Sequence, residues 1–296
     1  MKVVVGASTF AEAGEDALNL LVSKGIEVVK NPFRRRMTEE EIIEHLKGAE
    51  GLLAGLEPLN ENVLSHAPTL KAIARIGIGT DNVDFDACKR HGVKVSNTPD
   101  APTLAVAEMT IAALFSILRM IVPANEDMHK GIWKKQLGES FSGQKVLIVG
   151  YGRIGKKVAE YMRFFGAQIT VYDPFCPEES VSDLREAVKE ADIISIHASG
   201  KETIFDDELF SNMKQGVILL NSSRGTLLDE KALENALQSG TIRYFWGDVF
   251  AEEPYSGNLI KYENAILTPH ISSNTKQCRL AMEMEAAQNI IKDLGL

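Results

Sequence analysis

One hexapeptide narrows what this chain can fold into more than any other feature. Gly150-Tyr151-Gly152-Arg153-Ile154-Gly155 follows the apolar run Lys145-Val146-Leu147-Ile148-Val149 and opens the helical stretch GKKVAEYMRFFG. A strand that turns into a helix through three glycines has a physical purpose. Gly150 permits the tight turn, Gly152 lets the backbone approach a diphosphate, and Gly155 lets helix pack on strand, while the helix N-terminus attracts the anion. The motif alone is weak evidence, but the next strand ends in Tyr172-Asp173, 18 residues past Gly155. A carboxylate there accepts hydrogen bonds from the adenosine ribose hydroxyls. It also repels a 2'-phosphate, and Pro174 and Phe175 after it offer no guanidinium to receive one. The pattern predicts a dinucleotide site for NAD rather than NADP.

The surrounding alternation sets the fold class. Short β-branched runs alternate with helical stretches from the start: VVVG, Glu15 to Lys24, IEVV, Thr38 to Lys47, GLLA, Glu61 to His66 and KAIARI. Thr38 followed by Glu41 is a helix start, with the hydroxyl as cap and the carboxylate reaching back. The alternation resumes at residues 145–150 and runs through QITVYD, ADIISIH, GVILLN and TIRYFWGDVF to NAILTPH, with a last helix over Thr275 to Leu294. This is an α/β chain with two parallel sheets. Its 296 residues exceed the ~250 at which single cores stop growing, so two domains are expected. Leu104 to Met120, between the sheets, is nearly all apolar and reads as a buried or interfacial helix.

Charge and composition exclude other classes. A net charge of −9 provides no field for a phosphate backbone, so no nucleic-acid partner is expected. Apolar stretches such as Ile111 to Leu118 fall short of the ~18 residues that span a bilayer, so no membrane partner is expected either. The N-terminal MKVVVGAS reads as a strand, not a signal peptide, which implies a cytoplasmic protein. Cys88, Cys176 and Cys278 include no C-x-x-C pair, so neither a disulfide framework nor a metal site is expected.

Three segments after the fingerprint end predicted strands: Asn221-Ser222-Ser223-Arg224-Gly225, Asp248-Val249-Phe250-Ala251-Glu252-Glu253-Pro254, and Thr268-Pro269-His270-Ile271. Ligands of open α/β sheets bind at such ends. A guanidinium, a carboxylate and an imidazole there suit oxidation of a hydroxy acid. The alcohol loses a proton while hydride leaves, which suits His, and a substrate carboxylate suits the planar donors of Arg.

With these pieces in order, the chain resembles the D-isomer-specific 2-hydroxyacid dehydrogenase family, which includes phosphoglycerate dehydrogenases. The matching pieces also include Arg75-Ile-Gly-Ile-Gly-Thr-Asp-Asn-Val-Asp84, Val95-Ser-Asn-Thr-Pro99 and Val106-Ala-Glu108. The resemblance implies that Arg224 binds the substrate carboxylate and polarises the keto oxygen, that His270 is the acid/base, and that Glu253 holds it protonated. It places Arg153 and Ile154 on the diphosphate, Asp173 on the ribose, Asp248 on the nicotinamide carboxamide, and Ala198 and Ser222 along the cofactor crevice. Backbone amides of Ile76, Gly77 and Ile78 would help hold the substrate carboxylate. The implied architecture is two doubly wound parallel-sheet domains: a flavodoxin-like substrate domain of residues 1–97 plus 275–296, and a Rossmann NAD domain of 98–274. A homodimer built on Leu104 to Met120 and the segment to Phe141 is also implied.

Substrate identity stays open at this level. Phosphoglycerate dehydrogenases carry an Arg near Ala54-Gly55-Leu56 and an Asn near Pro102, and this chain has neither. Arg34-Arg35-Arg36 is either an anion site or a solvated turn paired with Glu39 to Glu41. The expected substrate is D-3-phosphoglycerate or hydroxypyruvate-like. The alternatives are an unphosphorylated acid such as D-lactate or D-2-hydroxyglutarate, and a non-catalytic NAD-sensing binding protein. His197, Glu108 and Glu252 receive no chemistry.

Overall fold

The computed structural model describes residues 1–296, which divide into two compact units: Met1–Pro102 with Ser273–Leu296, and Thr103–Ser272.

The first unit runs β1 (Lys2–Val5), α1 (Asp16–Ser23), β2 (Glu27–Val29), α2 (Glu39–His45), β3 (Gly51–Ala54), α3 (Glu61–Ser65), β4 (Ala72–Arg75), α4 (Phe85–Arg90) and β5 (Lys94–Asn97). All strand pairs are parallel, in the order β2-β1-β3-β4-β5. This is the flavodoxin-like winding. Strands β3 and β4 are buried throughout, which is why they read as unbroken apolar runs rather than alternating ones. The capping box is present: Thr38 Oγ1 accepts the Glu41 N–H, and Glu41 accepts the Thr38 N–H. The chain returns at its end as α11 (Lys276–Leu294), which packs on α1, β3, β4 and β5.

In the second unit α5 (Pro102–Leu118) and α6 (Ile121–His129) precede β6 (Lys145–Val149), α7 (Arg153–Phe164), β7 (Gln168–Tyr172), α8 (Leu184–Glu190), β8 (Ile193–Ile196), α9 (Asp207–Ser211), β9 (Val217–Asn221), α10 (Glu230–Ser239), β10 (Ile242–Gly247) and β11 (Ala265–Leu267). The expected single helix to Met120 stops at Leu118, because Met120 takes a left-handed φ of 52° and starts α6 on a new axis. No single helix is long and apolar enough to cross a membrane. The sheet order is β11-β10-β9-β8-β6-β7, all parallel. This is a Rossmann sheet without a strand beyond β7, where Val181 N–H makes a bond to Val171 O. The chain leaves β6 toward β7 on one side and returns to β8 on the other. The crevice of such a sheet opens at that reversal.

Candidate active site

Register brings the chemical residues of the second unit to one edge. Val149 pairs with Tyr172 and Ile196, Ile196 with Asn221, and Gly247 with both Asn221 and Leu267. The residues just after these positions are Gly150, Asp173, His197 and Ala198, Ser222 to Arg224, Asp248, and Thr268 to His270. They leave the sheet along its carboxyl edge.

The glycine turn fits a diphosphate. A Cβ on Gly150 (φ 93°) would lie 2.3 Å from Ala198 N, and one on Gly155 would lie 2.1 Å from Gly150 O. A Cβ on Gly152 would meet nothing within 4 Å, and Gly152 caps α7 without a side-chain bond. The first amides of α7, from Arg153 and Ile154 onward, have no partner within the helix and no capping side chain at Gly152, as an anion site at a helix N-terminus requires. Asp173 is fixed beside the turn, with Oδ2 accepting the Tyr151 N–H at 2.6 Å and Oδ1 the Phe175 N–H at 2.8 Å. A carboxylate accepts about four bonds, so ribose hydroxyls still find lone pairs. Ser223 Oγ donates to Ala198 O, and Ser222 Oγ lies 3.4 Å from Thr110 Oγ1, which joins the β8 and β9 ends that line the crevice.

The imidazole and carboxylate are brought together, on the sheet edge that also carries Arg224. Glu253 Oε2 lies 2.9 Å from His270 Nδ1, and Oε1 accepts the Phe250 N–H at 3.0 Å. An ionised carboxylate only accepts, so Nδ1 carries a hydrogen and Nε2 is the atom left to exchange a proton. Burial opposes the charge of Glu253. The bond and charge of His270, the Phe250 N–H and the charge of Arg224 outweigh it and hold the carboxyl below its ordinary range. His270 moves the other way: the Glu253 bond raises it, burial opposes, the charges of Glu253 and Asp248 add, and Arg224 subtracts. Arg224 thus acts on both partners. Its position follows from buried Asn221, which accepts the Ser223 N–H and donates to Arg224 O, while Arg224 Nη1 donates to Ser223 O at 2.8 Å.

His270 itself takes a left-handed φ of 53°, an uncommon backbone for a non-glycine residue that clusters at functional sites. What holds it is Asp248. That carboxylate is 0% exposed and accepts the Thr268 hydroxyl and the Ile271 N–H on Oδ1 and the Ser272 N–H on Oδ2. The bonds it makes are thus to the loop carrying His270, a role the sequence reading, which gave it the carboxamide, did not include. Thr268, which also accepts from Trp246 Nε1, was missed although it stands in the TPHI segment.

In the first unit the 76–78 loop leaves the carboxyl end of β4. Ile76 N–H donates to Ala54 O and Gly77 N–H to Thr98 Oγ1. This corrects the expectation of three substrate amides: two are bonded within the fold, because the loop is pinned to β3 and to the end of β5. Ile78 remains, and Asn97 Nδ2 holds its carbonyl at 2.9 Å. Asn97 and Thr98, unassigned in the sequence although inside the Val95–Pro99 match, are the residues that shape this loop. Of the Arg34–Arg36 run, Arg35 pairs with Glu41 at 2.6 and 2.8 Å and lies over Phe33, so it belongs to the capped turn. His197 is neutral and structural: burial pushes its pKa down to about 3, and Nε2 lies 2.8 Å from Ser195 Oγ. Glu252 and Glu108 are exposed.

Comparison with known proteins decides what this arrangement is. A sequence model described as D-isomer specific 2-hydroxyacid dehydrogenase, NAD binding domain, matches residues 111–272. The chain belongs to the D-isomer specific 2-hydroxyacid dehydrogenase family. The cofactor of the matched domain is NAD, in keeping with the Asp173 carboxylate beside the glycine turn. A D-3-phosphoglycerate dehydrogenase of Methanocaldococcus jannaschii is 35% identical over 95% of this chain and 56% of its own length. A hydroxypyruvate reductase of Thermotoga maritima is 35% identical over 79% of this chain and 81% of its own length. The solved TT0316 protein of Thermus thermophilus superposes with a TM-score of 0.90 at 32% identity, covering 99% of this chain and 97% of that one. The chain spans about half the length of the phosphoglycerate dehydrogenases it matches.

Proposed function

We propose that this protein is an NAD-dependent dehydrogenase that interconverts a small D-2-hydroxy acid and its 2-keto acid, with a D-3-phosphoglycerate-like or hydroxypyruvate-like substrate. The observation that carries the reading is the Glu253–His270 pair, under the charge of Arg224, on the same sheet edge as the dinucleotide turn. NADH, when bound, supplies the hydride that goes to C2 of the keto acid. Arg224 pairs with the substrate carboxylate and draws electron density from the keto oxygen. His270 delivers a proton from Nε2 to that oxygen, so that the carbonyl becomes the hydroxyl. Glu253 orients the ring and stabilises its charged form before transfer. Asp248 keeps His270 in place for the reaction.

The test is NADH consumption by purified protein against 3-phosphohydroxypyruvate, hydroxypyruvate, glyoxylate, pyruvate and 2-oxoglutarate. Turnover is expected, and fastest with one of the first two. A preference for pyruvate or 2-oxoglutarate would overturn the substrate assignment and leave an unphosphorylated or dicarboxylic acid in its place. NADH binding with no turnover across the panel would overturn the catalytic reading in favour of a sensor.

A homodimer is part of the proposal. Ile121, Val122, Met128 and Ile132 expose apolar surface in the second unit, with Trp133 81% and Leu137 97% exposed. Large apolar side chains exposed over so short a stretch support an interaction site there. Replacing Trp133 and Leu137 together by Asp should convert a dimer into a monomer by light scattering. An unchanged mass of two chains would refute this surface as the contact.

A further inference from the structure

Strand β7 is the last of its sheet, so one side of its backbone has no neighbouring strand to bond. The N–H and C=O groups of such an edge must find partners elsewhere. Tyr172 O accepts the Gly150 N–H at 2.8 Å and so faces inward to the sheet. Val171 and Asp173, on either side of it, direct their groups outward. The chain meets both on its way to α8. Val181 N–H donates to Val171 O at 2.8 Å, and Ser180 Oγ accepts the Asp173 N–H at 2.8 Å.

The Ser180 hydroxyl donates its own hydrogen to Val181 O at 2.9 Å. A hydroxyl has one hydrogen and two lone pairs, so with the hydrogen spent on Val181 a lone pair is left for Asp173. Each polar atom of Asp173 then has a partner. Its N–H meets Ser180, its carbonyl accepts the Cys176 N–H at 3.1 Å, Oδ1 accepts the Phe175 N–H and Oδ2 the Tyr151 N–H. Phe175 and Cys176 stand two and three residues on in the same loop and move with Asp173. Tyr151 and Ser180 are the partners that tie it to the rest of the unit. Tyr151 belongs to the glycine turn, and Ser180 is anchored to the sheet through the Val181–Val171 bond beside it.

We propose that Ser180 is a positioning residue for the cofactor: its hydroxyl locks the Asp173 backbone at the free edge of β7, and so aims the carboxylate at the adenosine ribose of NAD and against the 2'-phosphate of NADP. The inference rests on the ribose role given to Asp173 above. Without the hydroxyl, the Asp173 N–H has only water to meet, and the Tyr151 N–H alone is left to aim the carboxylate from outside the loop. Arg224, Glu253 and His270 do not bond to this segment and are untouched.

NADH and NADPH titrations followed by nicotinamide fluorescence test it and need no turnover. Ser180→Ala should weaken NADH binding about fivefold, within the range of one net hydrogen bond. NADPH binding should not weaken with it, because the carboxylate opposes that ligand, so the preference for NADH should fall by the same factor. General loosening of the fold would weaken both dinucleotides alike. In an Asp173→Ala background, Ser180→Ala should cost nothing further, because the serine acts through the carboxylate. At saturating NADH, kcat for the preferred keto acid should stay near wild type. Equal losses for the two dinucleotides, or a Ser180→Ala loss that persists in full without the Asp173 carboxylate, would overturn the proposal. Wild-type NADH binding by Ser180→Ala, where Asp173→Ala binds weakly, would overturn it while leaving the ribose role of Asp173 intact. Wild-type NADH binding by Asp173→Ala would overturn the ribose role itself, and the proposal with it.

Discussion

Replacing His270 by Asn lowers the rate of keto-acid reduction by about a hundredfold to ten-thousandfold, the range that a positioned general acid supplies. Asn is the informative choice because it tolerates the left-handed backbone that His270 adopts at φ 53°. The loop should keep its shape while the proton donor disappears. NADH affinity should hold, because the glycine turn and Asp173 lie elsewhere on the edge. A variant that reduces keto acid at the wild-type rate would remove His270 from the mechanism.

The pH profile carries the same argument with a sign. Glu253 raises the pKa of His270, and reduction needs the protonated ring. Reduction should therefore be full at pH values below that raised pKa and fall as pH climbs through it. Oxidation of the hydroxy acid needs the neutral ring and should rise over the same interval. Glu253→Gln removes the largest raising influence, so the falling limb of the reduction profile should move to lower pH. A limb that stays in place would show that another group sets it.

The second large effect is structural. Asp248→Ala leaves the Thr268 hydroxyl and the amides of Ile271 and Ser272 without their acceptor. Stranding buried donors costs about 1–3 kcal/mol each. With Ile271 part-exposed, a loss of about 2–5 kcal/mol is expected, together with most of the activity as the His270 loop loosens. Asp248→Asn keeps one acceptor and should fall between. Thermal denaturation measured alongside turnover checks both. An unchanged melting temperature for Asp248→Ala would mean that the loop holds its shape without the carboxylate.

Local chemistry made much of this chain legible before its structure. The glycine turn announces itself because close backbone approach and helix packing leave no room for side chains at Gly150 and Gly155. Parallel strands read as apolar runs because both faces are covered, and Thr38 with Glu41 declares a helix start because an unpaired amide must find an acceptor. Glu253 and His270 stand 17 residues apart. The sequence named both, and tertiary pairing joins them, with Glu253 Oε2 on His270 Nδ1.

What the sequence could not supply were relations set by long-range packing. That Met120 breaks the apolar helix depends on a single backbone angle that no periodicity encodes. Asp248 serves the 268–272 loop because β10 and β11 lie side by side, and the amides of Ile76 and Gly77 are spent on Ala54 and Thr98 because β3 and β5 flank β4. By itself the sequence determined the fold class, the dinucleotide turn and which side chains are candidates for the reaction, since each rests on residue types at short spacing. Only the tertiary structure decided which partners the carboxylates of Asp248 and Glu253 and the amides of Ile76 and Gly77 take, because a hydrogen bond is allotted by distance in space, and the partners that compete for it lie far apart along the chain.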